Sequence, residues 1–328
     1  MQKVIVTGGA GFIGSHLVRK LSSDKDYQTV VIDDLRNNDK NVGPSPKQTE
    51  HKHSVTYYKA DLRNRDLIMS IFKRERVDTC VHLAANINVD NSFLDPYDMI
   101  DANVVGTFNA LEACSEYETA NFVLASSAAV YGEGTESRIS ESHVLNPLSP
   151  YGASKLAAES LVSAYSLSKK VRNAIVLRLF NVYGEEQHLV PGVIGKFAGR
   201  LAKNLPPVIY GDGTQVRDFI SVRDVVNSIF TSLKVQQKGI LLDEYSPTSF
   251  CSQVFNIGTG IPTSIDSLAN KMIQLSGLTL QPVYEEKGAF AEINYSCANT
   301  HKARDHLDFK ANSKLEIFLR QLLGRKTK

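Results

Sequence analysis

The chain's 328 residues, 42% of them hydrophobic and 22% charged, have the composition of an ordinary globular protein with room for one large core or two fused lobes. A net charge of +2 predicts no attraction to nucleic acid or to an anionic membrane surface, and no apolar run approaches bilayer-spanning length. Four scattered cysteines, Cys80, Cys114, Cys251 and Cys297, carry neither disulfide nor metal-ligand spacing. With a strand starting beside Met1 and no room for a signal peptide, a cytoplasmic protein with reduced thiols is the expectation.

The first elements lie in VIVTGGAGFIGSH, residues 4–16. Val4, Ile5 and Val6 read as a buried strand, and Phe12, Ile13, Leu17 and Val18 continue at helical spacing. Gly9, Gly11 and Gly14 in the turn fit G-x-G-x-x-G, while Gly8, Gly11 and Gly14 recur every third residue. Such glycines permit a tight turn, a pyrophosphate against bare backbone and close packing of helix on strand. The helix start then points amide hydrogens at the phosphates. A second strand, 29–32, ends at Asp33, where a carboxylate meets the adenosine ribose and repels a 2′-phosphate. NAD is therefore expected over NADP, with Asp34 and Asn37 also at the cofactor; Arg36 works slightly against that preference.

Residues 36–54 are polar, with one glycine and two prolines, and read as a long loop. His51 and His53 within it lack a third ligand and are given no role; no metal is expected. Strand-like runs at 55–59, 79–83, 122–126 and 174–179 alternate with helical patterns, which predicts an α/β fold: a Rossmann-type doubly wound parallel sheet. Residues 1–179 are assigned to that domain. Residues 180–328, richer in loops and prolines, are assigned mainly to a smaller mixed α/β lobe over the sheet's carboxyl edge, with some segments returning to the Rossmann domain. Residues 313–323 read as a closing amphipathic helix.

In SPYGASKLAAE, residues 149–159, Tyr151 and Lys155 stand four apart and so share a helix face. A free phenol titrates near ~10; positive charge from Lys155 and from an oxidised nicotinamide is expected to bring it toward the range useful for proton transfer. Upstream, VLASSAAVYG ends a strand with Ser126 and Ser127 at the carboxyl edge. A hydroxyl there either orients a substrate oxygen shared with Tyr151 or merely satisfies the strand end.

The ordered motifs TGGAGFIG, ADL (60–62), HLAA (82–85), NVVGT (103–107), SSAAVYG, YGASK, RLFNVYG and YGDGTQVRDFI resemble those of the extended short-chain dehydrogenase/reductase family, in its nucleotide-sugar epimerase branch. The resemblance implies bound NAD, with Gly8, Gly11, Phe12, Ile13 and Gly14 at the pyrophosphate. It puts Asp61 and Leu62 beside the adenine, and Leu83, Ala84, Ala85, Asn103 and Ser126 along the cofactor. Ser127 takes the catalytic serine position, Tyr151 the acid/base position, and Lys155 that of the lysine holding the nicotinamide ribose. For a UDP-sugar it assigns Asn181 and Arg217 to the diphosphate, and Val193 and Tyr210 to the uracil.

A gapless match of AFAEINYSCANTHKA puts Ser296 where side-chain size decides whether a 2-acetamido group fits, so UDP-N-acetylglucosamine is expected beside UDP-glucose. The same match replaces an expected Arg-x-Gly-Asp by residues 289–292, leaving Lys287 as the nearest substitute for a diphosphate-binding arginine near Ala289. The implied reaction is C4 epimerisation through a 4-keto sugar. Related dehydratases resemble a Thr/Ser-Asp-Glu pattern where this chain has Ser127, Ala128 and Ala129, which disfavours dehydration. Alternatives are epimerisation of UDP-glucuronic acid or another sugar nucleotide, and an NAD(P)-dependent reductase with net hydride transfer. A homodimer through a four-helix bundle, from helices near 97–117 and 150–168, is also implied.

Overall fold

The computed structural model describes residues 1–36, 55–135, 137–185, 192–237, 253–286 and 293–324. Asn37, His51, His53, Cys251, Lys287 and Ala289, singled out in the sequence, lie outside these. The strands are β1 (Gln2–Thr7), β2 (Tyr27–Asp33), β3 (Val55–Lys59), β4 (Thr79–His82), β5 (Asn121–Ser127), β6 (Asn173–Leu179), β7 (Asn181–Tyr183), β8 (Val208–Tyr210), β9 (Val216–Ser221), β10 (Val254–Ile257), β11 (Pro262–Ser264), β12 (Val283–Glu285) and β13 (Tyr295–Ser296). The helices are α1 (Phe12–Ser22), α2 (Arg65–Glu75), α3 (Val89–Leu94), α4 (Pro96–Ile100), α5 (Gly106–Glu116), α6 (Pro150–Leu167), α7 (Val193–Leu201), α8 (Val222–Gln237), α9 (Ile265–Ser276), α10 (His301–Leu307) and α11 (Leu315–Gly324). None of the described helices is long and apolar enough to cross a membrane.

Seven strands pair in the order β10-β6-β5-β4-β1-β2-β3, every pairing parallel. A parallel sheet is covered on both faces, which is why its strands are near-continuous apolar runs. Alternation along β1 sends Val4 and Val6 into one core with Leu17, Val81, Val123 and Ile229, and Ile5 into the opposite core with Val30, Ile68, Leu124 and Val162. Cys80 and Cys114, distant in sequence, meet inside that second core as free thiols in contact. The order reverses between β1 and β4, which stay paired to Thr7 and His82 at their carboxyl ends, so the connections leaving these two strands run to opposite faces of the sheet and leave a crevice between them.

The later chain contributes to both parts. β10 extends the large sheet and α8 packs on α1, whereas β9 anchors a small sheet by pairing with β7, β11 and β13. A third core, including Tyr183, Phe197, Phe219, Leu268, Met272 and Leu319, lies beneath that small sheet.

Candidate active site

At the crevice the glycines divide their tasks. Gly8 has φ +69°, and a Cβ there would lie 2.6 Å from the Ala84 nitrogen; only glycine tolerates both the conformation and the approach. A Cβ on Gly14 would lie 2.1 Å from the Gly8 carbonyl oxygen, and one on Gly9 2.7 Å from the Val31 side chain, so these two set the packing. Gly11 differs, because its Cβ would meet only the Gly8 oxygen, at 3.3 Å. It is the N-cap of α1 and makes no side-chain cap, so bare backbone and the amides behind it face the crevice. The Phe12 side chain is buried, edge-on to His16, and Ile13 packs on the core; what both bring to the crevice is backbone at a helix start.

Asp33 closes β2 with Oδ2 accepting from the Ala10 amide at 2.9 Å and Oδ1 from the Leu35 amide at 2.8 Å. Burial raises its pKa, and these two hydrogen bonds oppose the rise. Arg36 pairs with Asp34, Asp61 and Asp98, and Arg63 with Asp61 and Asp98. Three carboxylates thus hold two guanidiniums, so the Arg36 charge is already engaged. Leu62 is buried in the core beside them. An open helix N-terminus, a carboxylate behind it and no excess positive charge fit a dinucleotide without a 2′-phosphate.

Beyond β4 the chain passes through Leu83, Ala84 and Ala85, and Asn103 holds this loop in place. Its carbonyl accepts from the Asn86 amide at 2.7 Å, and its amide group donates to the Asn86 carbonyl and to Ser154 Oγ, each at 2.9 Å. Ser154 in turn donates to the Tyr151 carbonyl at 2.7 Å. Asn103, 2% exposed, sits in a π-helical turn (Asp101–Val105) between α4 and α5.

Ser127 is the last residue of β5 and Tyr151 the second of α6. Gly152 brings them together: a Cβ there would lie 2.6 Å from the Ala129 oxygen, so α6 starts directly against the turn after β5. Ser149 caps the helix by accepting from the Gly152 amide at 3.1 Å. The Ser127 hydroxyl hydrogen-bonds the Tyr151 phenol, yet desolvation dominates and the phenol's pKa lies above its usual value. The depression expected from Lys155 is not what opposes the rise: burial sets its direction, and the Ser127 hydrogen bond works against it. Lys155, 5% exposed, is itself pushed down to about 8 by burial, against the opposing pull of Glu159. Ser126 requires a second correction. Adjacent strand residues face opposite ways, and its hydroxyl donates to Glu159 in the core instead of pointing to the site with Ser127.

On the substrate side, β9 carries Arg217, with Ser296 of β13 in register beside it and Asn181 of β7 paired with Phe219. The small sheet thus unites Asn181, Arg217 and Ser296. Ser296 is buried and its strand is held by Glu133, which accepts from the Asn294 and Tyr295 amides at 2.7 and 2.9 Å. Val193 opens α7, and Tyr210 ends β8 with an exposed ring.

Glu159 and Arg178 were missed in the sequence. They form a buried ion pair of 2.7 Å behind α6. Arg178 stands in the apolar run AIVLRLF, and a charge inside a core strand needs a partner; that was the available signal.

The chain matches the family described as NAD dependent epimerase/dehydratase over residues 4–258. It is 37% identical over 286 residues to a Methanocaldococcus jannaschii protein provisionally assigned as a UDP-glucose 4-epimerase, covering 86% of this chain and 85% of that one. It is 33% identical to the dTDP-D-glucose 4,6-dehydratase of Dictyostelium discoideum, covering 84% of this chain and 62% of that one. Among solved structures it resembles UDP-glucose 4-epimerase of Thermotoga maritima with UDP-glucose, at TM-score 0.85 and 28% identity over 99% of each chain. The Thermus thermophilus UDP-glucose 4-epimerase complex with NAD matches at TM-score 0.81 and 28% identity, covering 99% of this chain and 98% of that one.

Proposed function

Because the chain belongs to the NAD dependent epimerase/dehydratase family, we propose that it is a UDP-sugar 4-epimerase acting on UDP-glucose and UDP-galactose and on their N-acetylated counterparts. The observation that carries the choice is the turn after β5. Ser127 meets Tyr151 there, while the next two residues, Ala128 and Ala129, can neither give nor take the protons that elimination of water requires. Proton transfer at one oxygen is supported; dehydration is not.

The glycine turn, Asp33, Asp61 and the loop at Leu83–Ala85 would hold NAD, with Lys155 at its nicotinamide ribose. When bound, NAD supplies the acceptor and donor for the hydrogen on the sugar's C4 and carries positive charge when oxidised. Tyr151, as phenolate, takes the proton of the C4 hydroxyl, and Ser127 holds the same oxygen by hydrogen bonding. The Lys155 ammonium stabilises the phenolate, opposing the burial that raises the phenol's pKa. The sugar is then a C4 ketone. Tyr151 returns the proton once the opposite face of the carbonyl is presented, so the products differ only at C4 and no net oxidation remains. Arg217 and Asn181 hold the diphosphate, the guanidinium contributing charge and a planar donor fork. Small, buried Ser296 leaves space for a 2-acetamido group.

The protein is also proposed to act as a homodimer through a four-helix bundle, each subunit contributing the helical run of α4–α5 and helix α6.

The test is incubation of purified protein with UDP-glucose, UDP-N-acetylglucosamine and UDP-glucuronic acid in separate reactions without reductant, products being resolved by chromatography. C4 epimers of the first two are expected. An epimer from UDP-glucuronic acid alone would keep the chemistry and overturn the role given to Ser296; a 4-keto-6-deoxy product would overturn the epimerase reading.

A further inference from the structure

Glu159 stands one helical turn beyond Lys155, on the same face of α6. It is 3% exposed, and its oxygens are fixed. Arg178 donates from Nε to Oε1 at 3.0 Å and from Nη2 to Oε2 at 2.7 Å, and Ser126 donates its hydroxyl to Oε1. Arg178 is anchored in turn by Tyr131, whose hydroxyl accepts from Nη1 at 2.9 Å and whose ring lies 4.8 Å beneath the guanidinium. Tyr131 donates to Asn256 Oδ1 at 2.7 Å, so the assembly ties α6 to β5, β6 and β10.

A buried ion pair is seldom more stable than apolar residues of the same volume. Its place behind the catalytic lysine supplies another reason for it. Lys155 must be an ammonium in a site where burial works against charge, and Glu159 cannot swing out to pair with it directly. We propose that Glu159 is a positioning residue for the Lys155 ammonium: a carboxylate locked by Arg178 and Ser126 that holds the lysine charged from one turn away. The inference rests on the reading of Lys155 as the catalytic lysine.

Other groups around Lys155 do not take this role. His82 faces it from β4, but Thr107 donates to the Asn103 carbonyl and so accepts from His82 Nε2, while Thr7 donates to Nδ1. Burial, with the nearby Lys155 charge, lowers its pKa to about 3, so the imidazole is neutral and Nδ1 is left to accept from Thr7. Tyr151 is one turn back on the same helix. From β6, Arg178 is bound to Glu159 itself. Asp98 of α4 is held by Arg36 and Arg63, and Glu112 of α5 by Tyr165.

The test follows the Lys155 Cε resonance in 13C-lysine-labelled full-length protein as pH is raised, assigned by its loss in Lys155→Met. In Glu159→Gln the midpoint is expected to fall by about one pH unit from the wild-type value, and the alkaline limb of turnover to move with it. Glu159→Asp, which keeps the charge, should restore most of the shift. Glu159→Gln strands a buried guanidinium, so the deciding protein is Glu159→Gln with Arg178→Met, which removes both charges. An unchanged Lys155 midpoint in that folded double variant would show the pair to be structural and overturn the proposal. The resonance reports on Lys155 without any substrate, so a wild-type protein that epimerises no UDP-sugar sinks the functional reading and leaves this result standing.

Discussion

Tyr151 and Lys155 are each displaced from their ordinary ionisation by the same cause, burial, and in opposite directions: the phenol is made harder to ionise and the ammonium easier to discharge. Tyr151→Phe keeps the ring and deletes the hydroxyl proposed to carry the proton. Turnover should fall by about 10³-fold or more while UDP and NAD affinities, read by calorimetry, stay within a few-fold; undiminished turnover would remove Tyr151 from the mechanism. Lys155 adds a stability prediction. Its folded pKa, about 8, lies below the ordinary 10.5, so between those values the unfolded chain binds more protons and stability rises with pH. Lys155→Met lacks that dependence. Its advantage over the wild type in denaturant unfolding should approach about 3 kcal/mol at pH 7 and shrink steadily up to pH 10.5; a constant difference would mean the lysine is not held against desolvation. Tyr151 and Lys155 were legible because their relation is local, one helical turn. Glu159 and Arg178, on different elements, become partners only when α6 lies across β6.

At the level of elements, the glycine turn separates two demands that the motif alone presents as one. Gly14→Ala drives a methyl against the Gly8 carbonyl, at 2.1 Å, where only backbone can yield, and should cost about 3 kcal/mol or more and lower the melting temperature. Gly11→Ala meets one oxygen at 3.3 Å in an extended conformation open to any residue, so the fold should survive and NAD affinity should drop at least tenfold. Equal effects on melting would contradict this division of labour. The six early strands were legible from apolar runs bounded by turn residues, as was the last helix, expected at 313–323 and found at Leu315–Gly324. The π-helical turn that carries Asn103 was not. Its widened backbone has no sequence signature, and its reason is tertiary: one buried amide must reach both the loop after β4 and Ser154.

For the whole molecule, the sheet order places the crevice, and the chain then crosses back to complete both lobes; a return of some later segments to the first domain was expected, but not that β10 is the one pairing with β6, since pairing partners far apart in sequence leave no local trace. The outer face of α3–α5 poses the remaining question of assembly. Leu94 and Tyr97 are 75% and 85% exposed, and Ile100, Val105 and Phe108 are also exposed. Single exposed apolar side chains are ordinary, but Tyr97, Ile100, Val105 and Phe108 follow one another along the unbroken helix from α4 through the π-helical turn into α5, with Leu94 just before it, and apolar side chains so grouped point to an interaction surface. Tyr97→Glu with Phe108→Glu should convert a dimer to monomers in sedimentation, and a wild-type protein that sediments as a monomer at assay concentration would refute the assembly. The same helices carry Asn103 and pack on α6, which holds Tyr151 and Lys155. Dissociation should therefore also weaken NAD binding, whereas monomers that bind NAD as tightly as the wild type would show that each subunit builds its site alone.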